Sequence, residues 1–247
     1  SNVEIKKRFF SKFFVTQKRQ QKVYGQISES AKFDFDFIVM IILSGIVISL
    51  GLIIDSAAVI IGGMLIAPLV WPILGLALGI TMGRGVILRN SLFTILKSTI
   101  LILVAGLLVG LIAPEIVIES NEYLSRTSPT VIELLIGLFA GFLGAFVITY
   151  PKMGSAIAGV VVAAAIAPPI ATIGISLARA DFDLAMGAFL LYLSNLIAIT
   201  FAAAILFLIS NFKVASEHAE EKRKSGFQWT TMPLIIIVIP LVLITKQ

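Results

Sequence analysis

Long apolar runs separated by short polar breaks set the pattern of the chain. After a polar segment over residues 1–36, apolar runs occupy Phe37 to Ile54, Ala57 to Ile80, Ser91 to Ile112, Val131 to Tyr150, Ala156 to Leu177 and Leu184 to Ile209. A last run extends from Phe227 to Thr245. About 20 apolar residues in helical conformation cross the hydrocarbon core of a bilayer. The pattern therefore predicts an all-α, polytopic transmembrane bundle of six or seven spans. Its parts are a cytoplasmic basic amphipathic segment (1–36), three spans (37–112), an acidic extracytoplasmic loop (113–130), three more spans (131–211), a charged cytoplasmic linker (212–226) and a seventh span (227–247). A chain truncated at that point is one reading of where it stops.

The two groups of three spans resemble each other. Ile66-Ala67-Pro68 in the second run recurs as Ile166-Ala167-Pro168 in the fifth. A small polar residue precedes each, Ser56 and Ser155, and each is followed by a long run with polar groups inside it, Lys97-Ser98-Thr99 and Ser194-Asn195. Two linked units of an odd number of spans must point in opposite directions through the bilayer. The expectation is an inverted repeat with proline-broken helices, a plan shared by many secondary transporters.

Composition agrees with lipid as the solvent. Of the 247 residues, 58% are hydrophobic and only 13% charged, where a soluble domain has about 25% charged; the mean hydropathy is +1.04. The net charge of +5 would hint at nucleic acid in a soluble chain. Here the cations gather at the polar flanks, so anionic lipid headgroups are the expected partner and nucleic acid is not. Lys6, Lys7, Arg8, Lys12, Lys18 and Arg19, interleaved with Phe9, Phe10, Phe13 and Phe14, read as a helix on the membrane surface. Arg84 and Arg89, Lys152, and Lys222 to Lys224 mark the other basic breaks. Those at Asp55, Glu115 to Glu122, and Asp181 with Asp183 are acidic. The strict alternation puts the amino terminus in the cytoplasm.

Proline inside a span removes a backbone donor and crowds the carbonyl one turn back. Pro68, Pro72, Pro168 and Pro169 are therefore candidate substrate-binding positions, with Ser98, Ser194 and Asn195 as nearby polar groups. Simple kinking is the structural alternative, and for Asn195 a bridge between helices. Asp55, Ser56 and Ser155 are candidates for gating or for capping helix starts. Lys97 and Glu133 read as snorkelling charges near the span ends. Gly75, Gly79 and Gly83, and Gly137 with Gly141, recur at four-residue spacing. That spacing suits close helix packing or the face of a homo-oligomer. With no cysteine and the lone His218 in the linker, neither a metal site nor another cofactor is expected. The absence of a Walker loop, a triad or a carboxylate pair in one span argues against an enzyme. The favoured function is a transporter or channel for a small solute or ion. The alternative is a non-transporting oligomeric scaffold or sensor whose amino-terminal helix binds lipid or a partner.

The stretch Asp55-Ser56, Ile61-Gly62-Gly63-Met64-Leu65-Ile66-Ala67-Pro68-Leu69 and Pro72 resembles the signature of a prokaryotic family of hydrophobic membrane proteins, domain of unknown function 389. Ala167-Pro168-Pro169, Gly187-Ala188 and Leu193-Ser194-Asn195-Leu196 are similar to its second half. The resemblance covers about residues 37–211; Gly63 stands where many relatives have alanine. It implies a bacterial or archaeal inner membrane protein and no particular substrate.

Overall fold

The computed structural model of the chain describes residues 14–113, 120–150 and 156–212. Lys6, Lys7, Arg8, Lys12, Ser155, most of the charged linker and the run over 227–247 lie outside them. The described residues form helices α1 (Gln17–Ser30), α2 (Phe35–Ile53), α3 (Ala57–Ile66), α4 (Val70–Met82), α5 (Gly85–Ile112), α6 (Asn121–Leu124), α7 (Val131–Thr149), α8 (Ala156–Ala178) and α9 (Phe182–Ile209), and no strand among them.

Helices α2, α5, α7 and α9 are each long and apolar enough to cross a membrane. α3 and α4 meet that test only as a pair, bent by 57° at their junction. The long helices are apolar all round, but they sort residues by size. On α5, Leu92, Leu96, Ile100, Val104, Leu108 and Leu111 are exposed at helical spacing, while Ser91, Ser98, Ala105, Gly106 and Gly110 are buried. On α7, Ile132, Leu135, Ile136, Phe139 and Phe142 are exposed, while Gly137, Ala140, Gly141 and Gly144 are buried. Bulky side chains outward and small ones inward is the arrangement expected where lipid surrounds the bundle and backbones must approach closely.

Those approaches are tight. A Cβ at Gly141 would overlap the carbonyl of Ile199, one at Gly174 the carbonyl of Leu103, and one at Gly106 the carbonyl of Ala171. These contacts join α7 to α9 and α5 to α8. α4 in turn packs on α9, and α2 on both α3 and α5. One large apolar core runs through the set, from Ile41 and Leu52 through Leu69, Ile73 and Ile166 to Phe207, with a small second cluster of Leu134 and Ala198 between α7 and α9.

The predicted spans agree with these helices to within a few residues at most ends. One difference has a physical cause. α5 begins at Gly85, six residues before the predicted span, because Val86, Ile87 and Leu88 are themselves apolar and Arg89 and Asn90 after them are no obstacle to a helix. Of the amphipathic segment, the described residues include the helix from Gln17 to Ser30, which buries Gln20, Val23 and Ile27, with α4 as its main neighbour. It therefore has a protein-facing side.

Candidate functional site: the broken span and the proline-bearing helix

The break between α3 and α4 starts with Pro68. The residue before a proline is pushed out of the helical region, and Ala67 sits at φ −68°, ψ 115°. Its N–H turns to the carbonyl of Met64 at 3.3 Å instead of reaching Gly63. The Gly63 carbonyl accepts from the Ser44 hydroxyl at 2.9 Å. Gly63 also lets α2 pass, since a Cβ there would lie 2.6 Å from Ile48 Cγ1. Pro72 has a different part. It is the third residue of α4, where its missing N–H would have had no partner in the helix anyway. It helps to open α4 and does not interrupt it.

Pro168 and Pro169 were expected to break the fifth span. They do not: α8 continues from Ala156 to Ala178 with both inside it. Pro169 has no N–H for the carbonyl of Ala165, four residues back. The Asn195 side chain on α9 supplies that donor, its Nδ2 lying 3.0 Å from the Ala165 oxygen. Close packing on α5 holds the helix on its other side. Ala165, Ala167, Pro168 and Pro169 are all buried.

Ser98 and Ser194 are buried and bond to their own helices, Ser98 Oγ to the Thr94 carbonyl at 2.7 Å and Ser194 Oγ to that of Leu191 at 3.0 Å. Asn195 is fully buried, and its Oδ1 accepts no hydrogen bond. The hydroxyls of Thr172 on α8 and Thr200 on α9 are likewise buried without a partner. A buried polar atom without a partner is costly, and these three oxygens on α8 and α9 are among the described buried groups that have none, with Ser91 and Thr149. Thr172 and Thr200 escaped the sequence reading because one threonine in an apolar helix gives no signal. So did the pair Thr99 Oγ1 and Tyr192 Oη, 2.8 Å apart, which ties α5 to α9.

Polar groups gather at the two ends. At one, Asp55 has φ 53°, a left-handed conformation that aspartate tolerates better than most residues. Neither Asp55 nor Ser56 caps α3: Ser56 stands at the cap position without a side-chain bond. Asp55 instead accepts from the Glu122 N–H and the Ser120 hydroxyl, both at 2.9 Å, and so holds the start of α6. These donors, with the Glu122 N–H foremost, keep its carboxyl below the ordinary 3.8. Tyr123 beside it donates to or accepts from Ser176 at 2.7 Å, and burial pushes its phenol up. Arg126 lies 3.6 Å from Glu122 and 4.0 Å from Glu133. Glu133 is thus an ion-pair partner as well as a snorkelling group.

The opposite end holds α1. Arg19, expected on lipid headgroups, is turned inward: its Nε donates at 2.9 Å to the Thr149 carbonyl, and its Nη2 donates to that of Ile148. These are among the last carbonyls of α7, which have no partner within the helix. Gln20 Nε2 donates to the Asn211 carbonyl at 2.8 Å. Lys18 is exposed and remains available to headgroups. Lys97 is exposed on α5, and its ammonium lies 4.9 Å from the centre of the Phe33 ring.

The glycine spacing is used within one chain. Gly75 faces Ser91 and Ile27, Gly79 faces Leu88, and Gly137 faces Asn195 and Ala198. Gly83 ends α4 at φ 62°. These glycines therefore give no reason to expect a second copy.

Known proteins bear on this bundle through sequence alone. No solved structure matches it. An uncharacterized protein of the archaeon Methanocaldococcus jannaschii is similar, 29% identical over 227 residues that cover 89% of this chain and 70% of the relative. Residues 64–201, from the end of α3 to the middle of α9, match one family throughout. That stretch contains both Ile-Ala-Pro segments, and the chain belongs to the family described as Domain of unknown function (DUF389).

Proposed function

We propose that the chain is a carrier or channel for a small solute or ion in a prokaryotic inner membrane, built as an inverted repeat with its amino terminus in the cytoplasm. The observation behind this reading is a match between the two halves. α2 and α7 each have 19 residues, and α5 and α9 each have 28. Gly45, the eleventh residue of α2, packs on Ile102, the eighteenth of α5; Gly141, the eleventh of α7, packs on Ile199, the eighteenth of α9. The middle helix of each half also packs on the last helix of the other, α4 on α9 and α8 on α5. Inverted repeats of this kind place their sites where interrupted helices meet between the halves. Here the counterpart is the contact of the α3–α4 pair with the unbroken α8, and we assign as ligand groups the Thr172 hydroxyl of α8 and Asn195 Oδ1 of α9, which faces Gly137.

Purified chain in liposomes tests the reading with panels of ions and small metabolites. Flux above protein-free vesicles that is reduced by Asn195→Ala and Thr172→Val supports it; no flux for any solute in the panels counts against it. Topology is tested separately. The chain has no cysteine, so single replacements of Ser125 and Arg89 can be labelled with an impermeant maleimide. Labelling of Ser125→Cys and not Arg89→Cys in intact cells is the expected result; the reverse order refutes the orientation.

One observation favours the alternative, a membrane scaffold or sensor. The carbonyls of Gly63 and Ala165 already have donors in Ser44 and Asn195, as kinks without cargo would. In that reading α1 is the partner-binding element, and its removal abolishes partner or lipid binding.

A further inference from the structure

A cleft of about 910 Å³ opens between α1, the turn after it and the first half of α5. Tyr24, Lys32, Phe33, Asn90, Phe93 and Lys97 are among its lining residues. Two kinds of surface meet here. Val86 and Phe93, also in the lining, are 67% and 54% exposed and lie on the side of α5 that continues as the apolar stripe Leu96, Ile100 and Val104. The polar side presents two ammonium groups and the Asn90 amide. The cations differ. Lys32 is held by Glu29 at 2.6 Å, whereas Lys97 has the Phe33 ring face and no carboxylate within ion-pair distance among the described residues. A cation on a ring face keeps its other donors free. Arg84, stacked on Tyr24 with its guanidinium carbon 4.6 Å from the ring centre, adds positive charge at the rim. Asp34 is the acidic group in the lining, and one of its oxygens accepts from the Phe37 N–H at 3.0 Å. The hydroxyls of Ser28 and Ser91, both in the lining residues, have no hydrogen-bond partner.

We propose that this cleft binds one anionic phospholipid, with its phosphate on Lys97 and its acyl chains along Val86, Phe93 and the α5 stripe. A lysine twelve residues into a lipid-facing helix is costly without such a partner, and a cleft that continues into a lipid-facing stripe suits an amphipathic molecule better than a free anion. The lining residues of the cleft include neither Lys18 nor Arg19 nor any of the four span prolines.

The test is thermal unfolding of the full chain in neutral maltoside detergent with three additions: phosphatidylglycerol, a diacylglycerol of the same chains, and inorganic phosphate. Phosphatidylglycerol is expected to raise the midpoint by at least about 3 °C, and the other two to have little effect. Lys97→Gln should weaken the phosphatidylglycerol effect about tenfold in apparent affinity, Lys97→Arg should keep it, and Lys32→Gln should weaken it less. Lys97→Met, which keeps an apolar stem on Phe33, repeats the test if Lys97→Gln does not fold. An equal rise with diacylglycerol overturns the phosphate contact, and an equal rise with inorganic phosphate overturns the lipid. An undiminished phosphatidylglycerol effect in both Lys97→Gln and Lys97→Met overturns the site.

Discussion

If Asn195 replaces the hydrogen bond that Pro169 removes, the two residues must be coupled in energy. In the native chain the Ala165 carbonyl depends on Asn195 Nδ2, 3.0 Å away, in a place where both residues are buried. Asn195→Ala leaves that carbonyl with no donor from α9 or from residue 169. Orphaning a buried acceptor costs about 1–3 kcal/mol, while hydrogen bonds between membrane helices have measured about 0.6 kcal/mol on average and about 1.7 at most. A bond to a carbonyl that lacks its own helical donor belongs near the upper end, so about 1.5 kcal/mol is expected, with lost packing added. Pro169→Ala restores an N–H at position 169, directed along α8 at the same carbonyl. In that background Asn195→Ala should cost only its packing loss. The coupling in a double-mutant cycle is therefore expected at about 1 kcal/mol, well above the 0.3–0.5 kcal/mol within which independent sites add. Reversible unfolding in mixed micelles, followed by circular dichroism, measures all four corners. Additive effects within that error would refute the substitution of one donor for the other.

The close helix crossings give a graded series. Gly141→Ala should destabilise by about 1–3 kcal/mol through overlap with the Ile199 backbone. Gly45→Ala, whose nearest obstacle is the Ala105 Cβ at 3.0 Å, should cost less, and Gly62→Ala, with open space around it, should be neutral or stabilising by up to about 1 kcal/mol. Equal effects in the same micelle assay would contradict the packing. The Asp55 carboxyl is held below its ordinary value by its donors, so its contribution is complete above about pH 4 and is lost as pH falls through the lowered value. Asp55→Asn should remove this part of the acid sensitivity, read as the unfolding midpoint between pH 5 and pH 2.5. Arg19→Gln should release α1 from the end of α7, seen as faster amide exchange over residues 17–30 with little change in α5 or α8.

The long helices were legible because apolar length alone distinguishes a membrane span. The paired Ile-Ala-Pro segments were legible as well, but not their different outcomes. A proline tells which donor is missing; whether the helix breaks depends on who replaces it. Ser44 meets Gly63 from 19 residues away, and Asn195 meets Ala165 from 30, and neither pairing has a local signature. Asp55 shows the same limit. Its place before a helix suggested a cap, yet its partners lie 65 to 67 residues ahead. Arg19 looked like one more surface cation, and only the carbonyls at the end of α7 distinguish it from Lys18. Glycine spacing correctly signalled close approach and could not say whether the neighbour was in the same chain.

The way α1 is fastened has a consequence for biosynthesis. Arg19 and Gln20 emerge from the ribosome early, but the carbonyls they hold belong to Ile148, Thr149 and Asn211, 129 to 191 residues later. Until α7 and α9 are in place, α1 has nothing to fasten to at these points and is held chiefly by its packing on α4. Its fastening is then completed only among the last steps of assembly, and in a nascent chain arrested before residue 149, where α1 rests on α4 without these bonds, α1 should be cut by protease more readily than in the finished chain.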